Sequence, residues 1–132
     1  MQDRPNVVEL LETLGNYLEG ELMPALDGPL AYRTRVAANL VRILEREHAL
    51  GPVSLRREHA LLCGLLDIDP HASRSNSLEE AVIELNRKVG AAIDAGRIEH
   101  ARAWPALMEI ARAKLSIIRP GYDAFDAQAE LP

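Results

Sequence analysis

Lys114 is a charged residue in the middle of an apolar helical arc. With about 100° of rotation per residue, its neighbours on that arc are Leu107, Ile110, Ala111 and Ile118. A buried ammonium group is costly to remove from water, so it requires a carboxylate or carbonyl partner. The pattern therefore predicts a special polar site around Lys114. The full apolar arc comprises Trp104, Leu107, Met108, Ile110, Ala111, Leu115, Ile117 and Ile118.

Polar residues also occupy or border the apolar stripes of the other predicted helices. Carboxylate partners for Lys114 and Arg33 are expected among Glu21, Glu47 and Glu58. One interpretation is a set of interhelical ion pairs and hydrogen bonds that fixes the register of the helices. The other is a small pocket in which Lys114 orients an anionic ligand. The candidate ligand-binding residues are the same in both cases: Lys114, Arg33, Asn39, Glu47, Glu58 and Asn86.

Other patterns that could support catalysis or metal binding are weak. Glu45 and His48 form a single Glu-x-x-His, whereas a di-iron site needs two copies and further inward-facing glutamates. His48 and His59 are expected at the surface. Cys63 has no convincing activating base, and a leucine-rich setting raises the pKa of a thiol. We expect no metal, no cofactor and no catalytic residue of a recognised type, while an enzymatic activity stays open.

The elements that must position these residues are helices. Apolar residues recur with helical spacing in five segments separated by glycine and proline, and no segment alternates as a strand does. We predict an all-α antiparallel bundle of about five helices with short Gly/Pro loops. The predicted segments start at Pro5, Leu30, Val53, Ser77 and about Ala103, and they end near Leu22, Leu50, Asp67, Gly96 and Pro120.

Several local signals set these boundaries. Asp3 lies just before the first segment, and Gly51-Pro52 is expected to stop the second sharply. Ser77 and Glu80 form a capping-box pattern at the start of the fourth, whose apolar stripe comprises Leu78, Val82, Leu85, Val89, Ala92 and Ile93. In the second segment Arg33 and Glu47 fall near the two ends of the stripe, and Asn39 flanks it. That stripe is expected to face the core and comprises Val36, Ala37, Leu40, Ile43 and Leu44.

Composition limits the class of protein. The chain has 132 residues, a formal net charge of −5 and 4% aromatic residues. An acidic chain without a basic cluster does not suit nucleic acid, whose phosphates must be neutralised. A lone cysteine, no long apolar run and no secretory signal favour a soluble cytoplasmic protein that does not bind membranes. We predict one helical-bundle domain over residues 1–120 and a tail over 121–132.

Several short motifs occur in an order that resembles a family of small bacterial all-helical proteins of unknown function. Such proteins are often encoded near acyl-CoA dehydrogenases and aminoglycoside-phosphotransferase-like proteins. The resemblance implies an accessory role in acyl-CoA or small-acid metabolism and assigns no activity. The motifs are Met1-Gln2-Asp3-Arg4-Pro5 with Glu9-Leu10-Leu11, Arg35-Val36-Ala37-Ala38-Asn39, Arg46-Glu47 with Leu50-Gly51-Pro52, Leu85-Asn86, and Lys114-Leu115 leading to Pro120-x-Tyr122.

Two functions follow from these observations. The first is a non-catalytic interaction or accessory protein that acts with a metabolic enzyme and forms a homodimer, because catalytic motifs are lacking and the helices carry ample apolar surface. Ile83, Gly90 and Ile117 at stripe edges could form its contact face. The alternative is a module, or a small enzyme, that binds acyl-CoA or an organic acid in a pocket centred on Lys114.

Overall fold

The computed structural model describes residues 4–72 and 77–121, and these are mainly helical with no strand among them. This confirms the all-α class, but four α-helices are present where about five were predicted. Shorter turns are a π-helical turn at Leu18–Leu22 and 3-10 turns at Met23–Ala25 and Pro70–Ala72. The helices are α1 (Val7–Tyr17), α2 (Gly28–Leu66), α3 (Leu78–Asp94) and α4 (His100–Ile118).

The first helix begins at an asparagine cap. The Asn6 side chain accepts a hydrogen bond from the Glu9 N–H, and the Glu9 side chain accepts one from the Asn6 N–H. Asp3, the predicted flank of this helix, lies outside the described residues. After α1 the chain winds on as the π-helical turn and then a 3-10 turn containing Pro24. The predicted segment to Leu22 is therefore helical, with its last part wider than an α-helix.

The prediction that Gly51-Pro52 stops a helix is wrong, because α2 runs through it without interruption. A residue before proline is normally pushed out of the helical region by a clash that involves its own Cβ. Gly51 has no Cβ, so this part of the clash is absent. Pro52 removes only one backbone donor at an exposed position. Two predicted helices are consequently one helix of 39 residues.

The described residues fall into two compact units that divide at this point of α2. The first unit contains α1, the following turns, α2 up to Gly51, and Ile117–Arg119. The second contains Pro52–Ser116, which includes the remainder of α2, α3 and most of α4. The single domain over residues 1–120 stays a prediction. Apart from Gly121, the predicted tail lies outside the described residues, with Tyr122 in it.

The second unit has a continuous apolar core. Its α3 stripe is as predicted, and Ser77 Oγ accepts the Glu80 N–H at 3.1 Å as an N-cap, which is one half of the predicted capping box. A residue with positive φ lies just after each of two helices: Asp67 (φ 55°) after α2 and Gly96 (φ 69°) after α3. The buried core residues are Leu62, Cys63, Leu65, Val82, Leu85, Val89, Ala92, Ile98, Ala103 and Ile110.

The predicted apolar arc of α4 is only partly buried. The buried positions Ala103, Ile110 and Ile117 recur every seven residues and define a narrower stripe. Trp104 lies about 120° from Ile110, and it is exposed. Because Ile117 is buried, its predicted place on a second contact face is wrong. No helix in the described ranges is both long enough and apolar enough to cross a membrane.

Candidate functional site

The six predicted site residues lie in two groups. Glu58, Asn86 and Lys114 meet in the second unit, although they come from three different helices. Arg33, Asn39 and Glu47 all belong to α2 in the first unit, and each is exposed. The interhelical network predicted around Lys114 is thus present with three members, and its carboxylate is Glu58.

The three residues of the second unit form a compact hydrogen-bonded cluster. Lys114 Nζ donates to Glu58 Oε1 at 2.8 Å, and Asn86 Nδ2 donates to the same oxygen at 2.9 Å. The second proton of Asn86 Nδ2 goes to the Val82 carbonyl at 3.0 Å. Glu58 Oε1 therefore accepts hydrogen bonds from the charged Lys114 ammonium group and from the neutral Asn86 amide. The bond to the Val82 carbonyl on α3 fixes the orientation of this amide.

The buried charge in this cluster is Glu58 and not Lys114. The Glu58 side chain is 8% exposed, whereas that of Lys114 is 55% exposed. Lys114 lies about 40° of rotation from Ile110, at the flank of the buried α4 stripe, so its long side chain reaches water. The expectation of a buried ammonium group is wrong, and the carboxylate is the group that needs a partner.

A small cavity of about 170 Å³ adjoins this cluster. Glu58, Lys114 and Ile110 line it, together with an ion pair in which Arg57 Nε donates to Glu109 Oε1 at 2.5 Å. Ligand sites for drug-sized molecules usually measure about 300–1,000 Å³. The cavity can therefore admit a few water molecules or a very small acid, but it cannot enclose a coenzyme.

The α2 residues of the first unit form a different feature, an outward-facing stripe. Val36, Leu40 and Leu44 are 42%, 56% and 50% exposed, and Arg33 and Glu47 lie at the two ends. We call these five residues the α2 stripe. The prediction that this stripe faces the core is wrong, because the side of α2 about 200° away carries the buried Ala38.

The opposite side of α2 meets α1 through an arginine that sequence reasoning missed. Arg42 donates to Glu19 Oε2 at 2.7 Å, to Glu45 Oε2 at 2.8 Å and to Asn16 Oδ1 at 2.8 Å. These hydrogen bonds and charges raise the pKa of Arg42, and the bond from Arg42 lowers the pKa of Glu19. A Cβ added at the buried Gly15 would lie 2.7 Å from the Arg42 guanidinium. The only signal of this cluster in the sequence is the spacing of three residues between Arg42 and Glu45, which allows an ion pair on one helix.

The second unit also buries a cysteine–histidine neighbour pair. Cys63 Sγ and His59 Nε2 are 3.9 Å apart, and both residues are buried. The expectation of a surface His59 is wrong. Burial raises the pKa of the Cys63 thiol, as its leucine-rich setting predicted. A thiol held in its neutral form is a poor nucleophile. Within the described part of the chain, no group of three or more His, Cys, Asp or Glu residues is arranged to hold a metal.

Comparison with known proteins gives a family and no activity. None of the curated proteins and none of the solved structures matches the chain significantly. A family described as Domain of unknown function (DUF6285) matches residues 24–122. That stretch includes the whole α2 stripe and the cluster around Glu58. Because the match covers most of the chain, the protein belongs to the DUF6285 family.

Proposed function

We propose that the protein is a non-catalytic interaction protein that associates with a second copy of itself through the α2 stripe. The observation that carries this proposal is the exposed apolar centre of the stripe between two opposite charges, Arg33 and Glu47. Exposed apolar surface bounded by polar residues is typical of protein interfaces. The partner is a second copy because the stripe is complementary to itself.

The self-complementarity follows from the spacing. Val36 and Leu44 each lie four residues from Leu40, and Arg33 and Glu47 each lie seven residues from it. Two antiparallel copies of α2 related by a two-fold axis at Leu40 would place Arg33 opposite the partner's Glu47. The same axis would place Val36 opposite the partner's Leu44. A two-fold interface requires this kind of self-complementary patch.

The buried area suggests a weak dimer. The three apolar side chains of the stripe are about half exposed, so completing their burial contributes roughly 1 kcal/mol each. Six of them across two copies give about 6 kcal/mol before the cost of association, which is at least about 4 kcal/mol, so the α2 stripe alone supports only very weak association. A second exposed stripe on α1 offers further apolar surface: Val7, Leu10, Leu14 and Tyr17. With this α1 surface included, we expect a dissociation constant between about 10 μM and 1 mM.

Sedimentation equilibrium with a disrupting variant tests this proposal. The wild-type protein should dimerise between about 10 μM and 1 mM, and Leu40→Asp should stay monomeric because it places a carboxylate on the two-fold axis. Ile83→Asp is the matched control, since Ile83 is a 70% exposed apolar residue of α3 and one of the contact positions predicted from sequence. A monomeric wild type, or a Leu40→Asp protein that dimerises normally, would overturn the proposal.

The family resemblance is the only support for a biological partner of this dimer. We propose that the dimer acts in the bacterial cytoplasm with a neighbouring-gene enzyme of acyl-CoA metabolism. Purified acyl-CoA dehydrogenase from the same gene neighbourhood, mixed with the protein, should sediment as a complex. Independent sedimentation of the two proteins at high micromolar concentrations would contradict this role and leave self-association as a separate result.

A second candidate function is the binding of a small organic acid beside Lys114. The supporting observation is the cavity of about 170 Å³, which Lys114 lines while it also reaches solvent. The apolar part of its lining includes Leu61 and Ile110. An acid there must compete with Glu58 for the ammonium group. A thermal-shift series with acetate, propionate and butyrate should show stabilisation that Lys114→Met abolishes, and unchanged melting with all three would remove this candidate.

A further inference from the structure

We infer that a second cleft, in the second unit, binds a small organic anion that has a short aliphatic tail. This cleft measures about 420 Å³ and lies where the C-terminal ends of α2 and α3 approach the first turn of α4. It is distinct from the cavity beside Lys114, and it shares no lining residue with it. We call it the cationic cleft.

Four positively charged side chains and one carboxylate line the cationic cleft. Arg87 and Lys88 come from α3, Arg97 from the turn after it, and Arg102 from α4. Asp67 supplies the carboxylate. This excess of positive charge is notable in a chain whose formal net charge is −5. A concave surface with an excess of one sign of charge concentrates ligands of the opposite sign.

Arg102 is fixed in place by the end of α2. Its guanidinium donates to both Asp67 oxygens, at 2.6 and 3.1 Å, and to the Gly64 carbonyl at 2.6 Å. Asp67 has φ of 55° and is the one non-glycine residue with positive φ in the described ranges. Aspartate tolerates this left-handed conformation better than most residues with a side chain, and here it ends α2. Here it places the carboxylate that orients Arg102.

Two of the other cations remain available to a ligand. Arg97 makes no ion pair with any residue of the described segments, and Lys88 Nζ is 3.7 Å from its nearest carboxylate, that of Glu84. Arg87 already pairs with Glu84, because its Nη2 donates a hydrogen bond to Glu84 Oε1 at 2.6 Å. Arg97 and Lys88 are therefore the donors that an anionic head group would contact.

The size and the apolar side of the cleft define the rest of the ligand. Leu65, Ala92 and Ile98 are buried core residues that line it. Its volume of about 420 Å³ lies within the range of about 300–1,000 Å³ that is usual for small-molecule sites. An alkyl chain of about six carbons with a phosphate or carboxylate head fits this space.

An NMR titration with three probes tests the inference. Hexyl phosphate should shift the amide signals of Ala91, Ile98 and Arg102 in a saturable manner. Inorganic phosphate should bind at the same place more weakly because it lacks the tail, and hexylamine should not bind there. Equal binding of hexylamine, or phosphate binding as tight as that of hexyl phosphate, would overturn the proposed ligand class. Hexyl phosphate shifts confined to other residues would overturn the site.

Charge-neutralising variants identify the donors. The double variant Lys88→Gln/Arg97→Gln should weaken hexyl phosphate binding by at least about tenfold, since each position loses a charge-assisted hydrogen bond. Both side chains are exposed, so the fold should survive, and the amide spectrum of the free protein checks this. Arg56→Gln is the control, because it removes the same charge from an exposed position of α2 outside the cleft. Unchanged affinity in the double variant, or an equal loss in Arg56→Gln, would overturn the inference.

Discussion

Replacing Lys114 by methionine should destabilise the protein through the buried carboxylate that Lys114 neutralises. The methionine keeps an unbranched apolar stem, so little packing is lost. What changes is Glu58, whose side chain is 8% exposed and whose Oε1 loses the 2.8 Å bond from the ammonium group. Asn86 remains as a donor to this oxygen at 2.9 Å.

The expected loss is moderate because Lys114 itself is half solvated. A hydrogen bond to a charged group contributes about 1.5–3 kcal/mol. Water in the adjoining cavity can replace part of it, so we expect a loss of about 1–2 kcal/mol in the free energy of unfolding. For a chain of this length the melting temperature should fall by roughly 4–8 °C. The figure of about 3–5 kcal/mol for breaking a fully buried pair does not apply, since only one partner is buried.

A double-mutant cycle with a matched lysine measures this effect. Glu58→Gln removes the buried charge and keeps an acceptor for Asn86, so Lys114→Met should cost much less in that background, with a coupling energy of about 1–2 kcal/mol. Lys88→Met is the control, because Lys88 is 51% exposed but its carboxylate neighbour Glu84 is also largely exposed. Thermal and urea unfolding that show equal losses for Lys114→Met and Lys88→Met would refute the reasoning.

Two further predictions concern the contact between α1 and α2 in the first unit. Gly15→Ala should lower the melting temperature, because the new Cβ would lie 2.7 Å from the Arg42 guanidinium and displace it from Glu19 and Asn16. Gly90 lies in open space within α3, so Gly90→Ala should raise stability by about 0.5–1 kcal/mol. A gain in stability at Gly15 equal to that at Gly90 would contradict the packing described. The lowered pKa of Glu19 means that its pair with Arg42 stabilises the fold above the ordinary carboxyl value of 4.5, and that this contribution is lost as the pH falls through the lowered pKa. The difference in melting temperature between the wild type and Arg42→Gln should therefore be full at neutral pH and shrink below pH 4.5, whereas a difference independent of pH would show that the pair does not stabilise the fold.

Helical periodicity predicted much of the fold and half of the candidate site. The α3 stripe and the Ser77 cap depend on residues close in sequence, and both were predicted correctly. Glu58, Asn86 and Lys114 were selected because each is a polar residue on or beside an apolar stripe, and the structure joins them in one cluster. The position of Lys114 at the flank of its stripe was missed, since α4 buries a narrower arc than its apolar residues suggest.

The errors have a common physical origin. Periodicity shows that a stripe of α2 is apolar, but the same pattern serves a core and an interface between molecules, so Leu40 and its neighbours were wrongly placed inside. The continuation of α2 through Pro52 depends on Gly51 before it, which has no Cβ. The prediction treated the proline as a helix stop and did not take the missing Cβ into account. The Arg42 cluster and the cationic cleft are built from residues far apart in the chain, and only the folded structure brings them together.

A charge-exchange experiment tests the central claim, antiparallel self-association through the α2 stripe. Sedimentation equilibrium would compare the wild type with Arg33→Glu, Glu47→Arg and the double variant, with Arg35→Glu as a control for an exposed arginine of α2 outside the stripe. Each single exchange places like charges opposite each other across the two-fold axis, so both should weaken the dimer. The double exchange restores opposite charges, so it should restore dimerisation, and Arg35→Glu should leave it unchanged. Single variants that dimerise as the wild type does, or a double variant weaker than either single variant, would contradict the account.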